Sequence, residues 1–374
     1  MLLSGKGLKH DFVRFVSATV ASQVVFSLYS MVDGLMVSLG VNEYAMSAVN
    51  LAIPFTNALF SIAVLFAVGS STLIAIAIAQ DKRHEANTLF SQNFATLLVL
   101  GAVATALVLL FLEPFARLLG ADEITLDYVK HYLLGLAPFS VCYLVSYNLE
   151  VLVKTDGFPR YALFTVIGGC LTNCVLDYIA IFHLDMGVFG AALSTVIARF
   201  VAMAWLLWRL GDGKLPLHIP YKRFFTGKEK PKLSIMRRIL AVGLPGSLEN
   251  RTFQLRRVLV VSIISTFGTA QIAANSVANN LDSFGVLSGM AFNLAIITVV
   301  GQCCGAGRFD SAEYYIRKLM RWSWIIMAGV NVVLFALLLP LMHLYNISPE
   351  AKALAILLVI LHNGTGIFLW TPAF

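Results

Sequence analysis

The chain has 374 residues, of which 59% are hydrophobic and only 13% charged, with a formal charge of +7. A soluble domain carries about 25% charged and about 45–50% apolar residues, so these values, with a mean hydropathy of +0.81, place the chain in lipid. Disorder is excluded, and five dispersed cysteines exclude a disulfide-stapled secreted fold.

A helix needs about 20 apolar residues to cross a hydrocarbon core about 30 Å thick. Ten stretches meet that length: 12–38, 46–79, 88–112, 126–152, 160–182, 187–210, 239–265, 271–302, 316–341 and 352–374. The second and eighth are long and carry Gly69 and Gly285–Gly289, so they are expected to tilt or bend. Nothing in the chain shows the alternation of about ten residues that a barrel strand needs. The fold class is therefore an all-α, polytopic helical bundle.

The connections sort the basic residues by side. With the N-terminus in the cytoplasm, twenty lysines and arginines fall on that side, from Lys6 through Lys82, Arg83, Lys154 and Arg209 to Arg321. Only Arg117, Lys130 and Lys352 fall on the other. That asymmetry is a positive-inside signal. The charge then reflects topology and anionic headgroups, not nucleic acid. No cleavable leader is expected, because Met1–Asp11 is short and polar and the first apolar run is too long for a signal core.

Residues 213–238 differ in kind, being polar, basic and proline-bearing, and read as a cytoplasmic linker between a lobe at 1–212 with six spans and one at 239–374 with about four. Sliding the chain by 228 positions lays residues 40–49 on 268–277 and Glu85 on Glu313, a weak internal repeat. Six helices per unit make the repeats parallel, related by an axis along the membrane normal. A complete second unit would end near 438, so the sequence reads as truncated by about two helices of an expected twelve.

A carboxylate at the bilayer centre costs about 2.5–3.5 kcal/mol on insertion scales, which makes intramembrane acids functional candidates. Three stand out. Asp33 lies in the first span, and Asp177 lies in the fifth, four residues after Asn173 and on the same helix face. Glu249 lies in the seventh span, just after Gly243-Leu244-Pro245. Such a carboxyl suits uptake and release of a proton, or, with nearby amide and hydroxyl oxygens such as Thr195, of Na⁺. A helix–helix hydrogen bond or salt bridge is the structural alternative for each.

Asn250, Gln254 and Arg257 accompany Glu249 on its helix, with Arg251 and Arg256; these arginines either neutralise it or line a cavity for anionic cargo. Asn275, Asn279 and Asp282 make a polar stripe on the eighth span, and Asn50 sits on the second; they are candidates for lining a cavity or for joining helices. Arg199 lies toward the cytoplasmic end of its span and is expected to snorkel. Cys303-Cys304 and Cys170/Cys174 lack further ligands for a metal site. There is no phosphate-binding loop, HExxH or GxSxG, so no enzyme is expected and no cofactor is needed.

Val32-Asp33-Gly34, the following AMSAVNLAIPF, Asn173–Asp177 leading to GVFGAALSTVIAR, and GLPGSLEN with STFGTAQIAANSVAN together resemble the multidrug and toxic compound extrusion (MATE) family, in its NorM- and MepA-like bacterial members. The resemblance runs along essentially the whole chain. It implies an efflux pump of two six-helix lobes forming a V in the bacterial inner membrane, a monomer that exports amphipathic drugs against H⁺ or Na⁺ by alternating access. It implies that Asp33, Asn173, Asp177 and Thr195 hold the cation in the first lobe and that Glu249 serves the second. Two departures stand out: the chain ends inside the tenth span, and arginines occupy the seventh. Alternative readings are a flippase for lipid-linked oligosaccharides, of related fold, and a non-functional truncated remnant.

Overall fold

The computed structural model describes residues 8–40, 43–137, 140–211, 232–265, 296–344 and 349–369, with isolated positions between 271 and 292. Side chains at some positions, mainly of the first, second, ninth, eleventh and twelfth helices, lie outside this set. The described residues are helical, with no strand among them. In lipid a backbone cannot leave its polar groups to water, and a helix satisfies them within one segment.

The helices are α1 (Leu8–Gly40), α2 (Glu43–Ala79), α3 (Arg83–Leu110), α4 (Leu112–Leu118), α5 (Leu126–Leu136), α6 (Ser140–Thr155), α7 (Pro159–Asp177) and α8 (Gly187–Gly211). They are followed by α9 (Leu233–Ser265), α10 (Ile296–Gly305), α11 (Phe309–Leu344) and α12 (Pro349–Leu369). Among the described residues five helices are long and apolar enough to span a membrane. The expected fourth span is two helices, α5 and α6, meeting at an angle of 51°. Pro138 falls between them in the sequence, and a proline cannot donate the amide that would carry α5 onward. The helices start a few residues before the apolar runs at 88 and 316, because a helix continues into the headgroup region where its polar end is solvated.

Three tight turns lie at one end of the bundle and share a cap. After α2, Asp81 has φ 57° and Lys82 N–H donates to Ala77 O at 2.9 Å. After α6, Gly157 has φ 102° and Phe158 N–H donates to Val153 O at 3.1 Å. After α10, Gly307 has φ 68° and Arg308 N–H donates to Cys303 O at 2.9 Å. Each closes the last helical carbonyls with a left-handed residue. The turns after α2, α6 and α10 thus share one geometry.

The largest core joins α2, α3, α5, α6 and α8 around Phe90, Leu97, Leu133, Leu144 and Leu149. Within it Asn93 Nδ2 donates to Asn148 Oδ1 at 2.6 Å, a polar tie between α3 and α6. Large apolar side chains such as Leu107, Phe164, Leu171, Ile325 and Val332 are exposed and would face lipid. Serines and threonines return their hydroxyls to the preceding turn, for example Thr72 to Val68 O at 2.9 Å and Ser194 to Gly190 O at 2.9 Å.

The first and second halves of the chain meet at the end carrying those turns. Gly69 of α2 faces the carbonyl oxygen of Ile239, and Gly243 of α9 faces that of Leu65; a Cβ at either glycine would overlap the oxygen. Gly305 packs on the backbone of Ile76 in the same way. Small residues let helix backbones approach where side chains would hold them apart. Gly69 is therefore a contact residue for α9. Nearby, Lys232 N–H donates to Gln92 Oε1 at 2.6 Å, Gln302 Nε2 donates to Thr155 O at 3.1 Å, and Arg238 Nη1 lies 3.5 Å from Glu85 Oε1. Val16 and Val20 of α1 also pack with Phe292, Val299 and Tyr315 in a separate cluster.

Candidate ion site and adjoining cavity

Four of the residues singled out in the sequence come together. The spacing of four puts Asn173 and Asp177 on one face of α7, and that face meets both α1 and α8. Both side chains are buried, at 1% and 0% exposure. In the amide orientation that satisfies all its neighbours, Asn173 Nδ2 donates to Asp177 Oδ2 at 2.7 Å and its Oδ1 accepts from Thr195 Oγ1 at 3.3 Å. Asp33 of α1 reaches the Asp177 carboxyl, which Ser194 of α8 also approaches. Immediately after Asp177 the helix widens into a π-helical turn, Tyr178–His183.

The other oxygen of Asp177, Oδ1, is buried with no hydrogen-bond donor among the described residues. Two carboxyl groups in contact inside a helix bundle require positive charge between them, either a shared proton or a bound cation. The surrounding donors are oxygens from carboxylate, amide and hydroxyl, a set that suits a hard cation such as Na⁺. Among the described residues no cluster of histidine, cysteine and acid suits a transition metal.

Beside this pair opens a cavity bounded by α1, α6, α7 and α8. Its lining includes Phe26, Tyr29, Glu150, Asn173, Thr195 and Arg199. Arg199 does not behave as the sequence suggested. Its guanidinium lies 5.4 Å from the ring centres of both Phe26 and Tyr143, so it turns into the bundle and does not snorkel to the headgroups. Lys154, counted among the loop cations, is also inside: its side chain is 2% exposed and its Nζ lies 2.6 Å from Glu150 Oε1.

Sequence reasoning missed Tyr29, Glu150 and the direction of Arg199. The signals were present: Tyr29 precedes Asp33 by four, Lys154 follows Glu150 by four, and Arg199 follows Thr195 by four, each pair sharing a helix face. Asn275 is buried with its Oδ1 unpartnered among the described residues, in a stretch whose Ala274 and Val277 pack with Leu334 and Leu338 of α11. The side chains of Asn50, Glu249, Asn250, Gln254 and Arg257, and residues Asn279 and Asp282, lie outside the described residues.

Apolar helices of spanning length describe a multi-pass membrane protein, and the similarities below make it a transporter of small compounds, not an enzyme. The chain belongs to the MatE family, whose model matches residues 18–179 and 245–367. It is 25% identical over 355 residues to the probable multidrug resistance protein NorM of Thermotoga maritima, covering 92% of this chain and 73% of that one. It is also 25% identical over 343 residues to the multidrug export protein MepA of Staphylococcus haemolyticus, covering 88% and 73%. Its fold matches an outward-facing multidrug resistance MATE family transporter of the MOP superfamily with a TM-score of 0.87 at 22% identity, over 99% of this chain and 84% of that one.

Proposed function

We propose that the protein is a secondary antiporter that exports amphipathic compounds, drugs among them, in exchange for H⁺ or Na⁺. In this reading Asp33, Asp177, Asn173 and Thr195 hold the exchanged ion, and Glu249 serves the second lobe. The observation that carries it is the contact between the Asp33 and Asp177 carboxyls, with Asp177 Oδ1 left unpartnered beside an open cavity. The names of the T. maritima and S. haemolyticus relatives support the cargo class.

The coupling is a linkage. Ion binding at the acidic pair favours one conformation and cargo favours the other, so each lowers the affinity of the other by the same factor. Two lobes, 1–212 and 239–374, rock about the 213–238 linker. With Lys154 set aside as buried, the nineteen-to-three bias of basic residues supports a cytoplasmic N-terminus in a bacterial inner membrane. The inter-lobe contacts at Gly69, Gly243 and Gln302 then close the cytoplasmic side. A single chain contains both the ion site and the cavity, which supports a monomer as the working unit.

The test is ethidium efflux from vesicles carrying the protein under an imposed proton or Na⁺ gradient. Asp33→Asn and Asp177→Asn are each expected to abolish gradient-driven efflux while leaving insertion unchanged. Undiminished efflux in both variants refutes the assignment.

A further inference from the structure

Arg199 follows Thr195 by one helical turn, so the face of α8 that brings a hydroxyl to the acidic pair also brings a guanidinium to the neighbouring cavity. A charged side chain at this depth is costly and needs a partner. Among the described residues no carboxylate lies within ion-pair distance of Arg199. The other charge on the cavity wall, Glu150, is already matched by Lys154 at 2.6 Å. The contacts made by Arg199 are instead with two aromatic faces, Phe26 from α1 and Tyr143 from α6. A ring stabilises a cation through its quadrupole but does not neutralise it. The fork of donors on the guanidinium therefore remains the strongest unmatched charge facing the cavity.

We infer that this cavity binds an amphipathic organic anion, an aromatic carboxylate whose oxygens take the donors of Arg199 and whose rings lie among Phe26, Tyr29 and the apolar wall at Val166 and Leu206. The inference rests on the transport reading of the same bundle and names the cargo class for it. The wall is mostly apolar and aromatic with a few polar groups converging on it, the pattern of small-molecule sites. Guanidinium and carboxylate pair through two parallel hydrogen bonds, so the geometry selects carboxylate over an ammonium group of equal size. Arg199 is thus a specificity-determining residue, and the ion held at Asp33 and Asp177 offsets the charge of that pair separately.

The experiment compares 2-naphthoate with 2-naphthylmethylammonium, two probes of similar ring and opposite charge, by quenching of intrinsic fluorescence in the purified protein. Naphthoate is expected to bind more tightly, and Arg199→Gln to weaken naphthoate binding about tenfold or more, the scale of a lost charge-assisted hydrogen bond, with little change for the ammonium probe. Arg199→Lys keeps the charge but not the fork; it should recover part of the affinity, and it carries the test if the glutamine variant does not fold. Preference for the ammonium probe, or unchanged naphthoate binding in both variants, overturns the inference. Ion-driven export of both probes is then read in proteoliposomes. Export of the ammonium probe alone overturns this inference and leaves the antiporter standing, whereas carboxylate-selective binding without any gradient-driven export keeps the inference and defeats the antiporter.

Discussion

Lys154 Nζ lies 2.6 Å from Glu150 Oε1, and the lysine side chain is only 2% exposed. Removing one member of a buried pair leaves an uncompensated charge, which costs about 3–5 kcal/mol, whereas replacing both with apolar groups is often close to neutral. Glu150→Ala is therefore expected to lower the melting temperature in detergent sharply, and the double variant Glu150→Leu with Lys154→Met to recover most of the loss. Equal melting of the single variant and the parent would show that the pair contributes nothing.

Gly243 allows a second comparison. A Cβ there overlaps the Leu65 carbonyl oxygen, while a Cβ on Gly168 meets nothing within 4 Å. Gly243→Ala should destabilise by about 1–3 kcal/mol through overpacking and should reduce efflux, because α9 can no longer close on α2. Gly168→Ala should be neutral or stabilising by up to about 1 kcal/mol, since alanine favours a helix interior. Thermal unfolding of the two variants side by side checks the contrast, and similar shifts would count against the close approach.

Asn173 joins Asp177 to Thr195, so its removal tests positioning separately from charge. Asn173→Ala leaves both acids in place but strips the amide donor from Asp177. Besides its own part in holding the ion, Asn173 orients Asp177, and loss of an orienting hydrogen bond is worth about 10–100-fold in ion affinity. The Na⁺ or proton concentration giving half-maximal coupling should rise by about that factor, with maximal efflux less affected. An unchanged midpoint would remove Asn173 from the site.

Asp122 supplies a pH dependence outside the membrane. Its Oδ1 accepts from Thr125 N–H at 2.8 Å, from the Thr125 hydroxyl at 2.7 Å and from Ile124 N–H at 3.2 Å, and its own N–H donates to Thr125 Oγ1 at 3.1 Å. These reciprocal bonds hold the turn that leads into α5. The hydroxyl and backbone donors of Thr125 hold the carboxyl below its ordinary range. A folded-state value below the unfolded one means that these bonds stabilise above pH about 3.9 and that this contribution is lost as pH falls through the lower folded value. Asp122→Ala should melt below the parent at neutral pH, and the gap should close in acid. A pH-independent gap would mean that the carboxylate charge plays no part.

The helices were legible because lipid imposes a simple rule: a run of apolar residues of spanning length must satisfy its own backbone. The division of the fourth span was harder to read, since one proline in a long apolar stretch marks either a kink or a break. Half of the candidate ion site was equally plain, because Asn173 and Asp177 share a face by local spacing alone. The pairing of Asp33 with Asp177 was not, because only packing of α1 on α7 creates it. Arg199 and Lys154 were misplaced for one reason: distance from the end of an apolar run measures depth but not direction. Arg199 meets rings from two other helices, whereas Lys154 meets Glu150 one turn back on its own helix.

The widened turn at Tyr178–His183 bears on how the chain tolerates change in length. A π-helical turn accommodates a surplus residue without interrupting the rod, so excising one amino acid there would tighten it to ordinary winding. The residues after the excision, up to His183, would rotate by about 100°, one residue of an α-helix. The break at 184–186 would take up part of that turn before α8 begins. Shortening the chain here therefore tests how tightly the end of one rod fixes the start of the next.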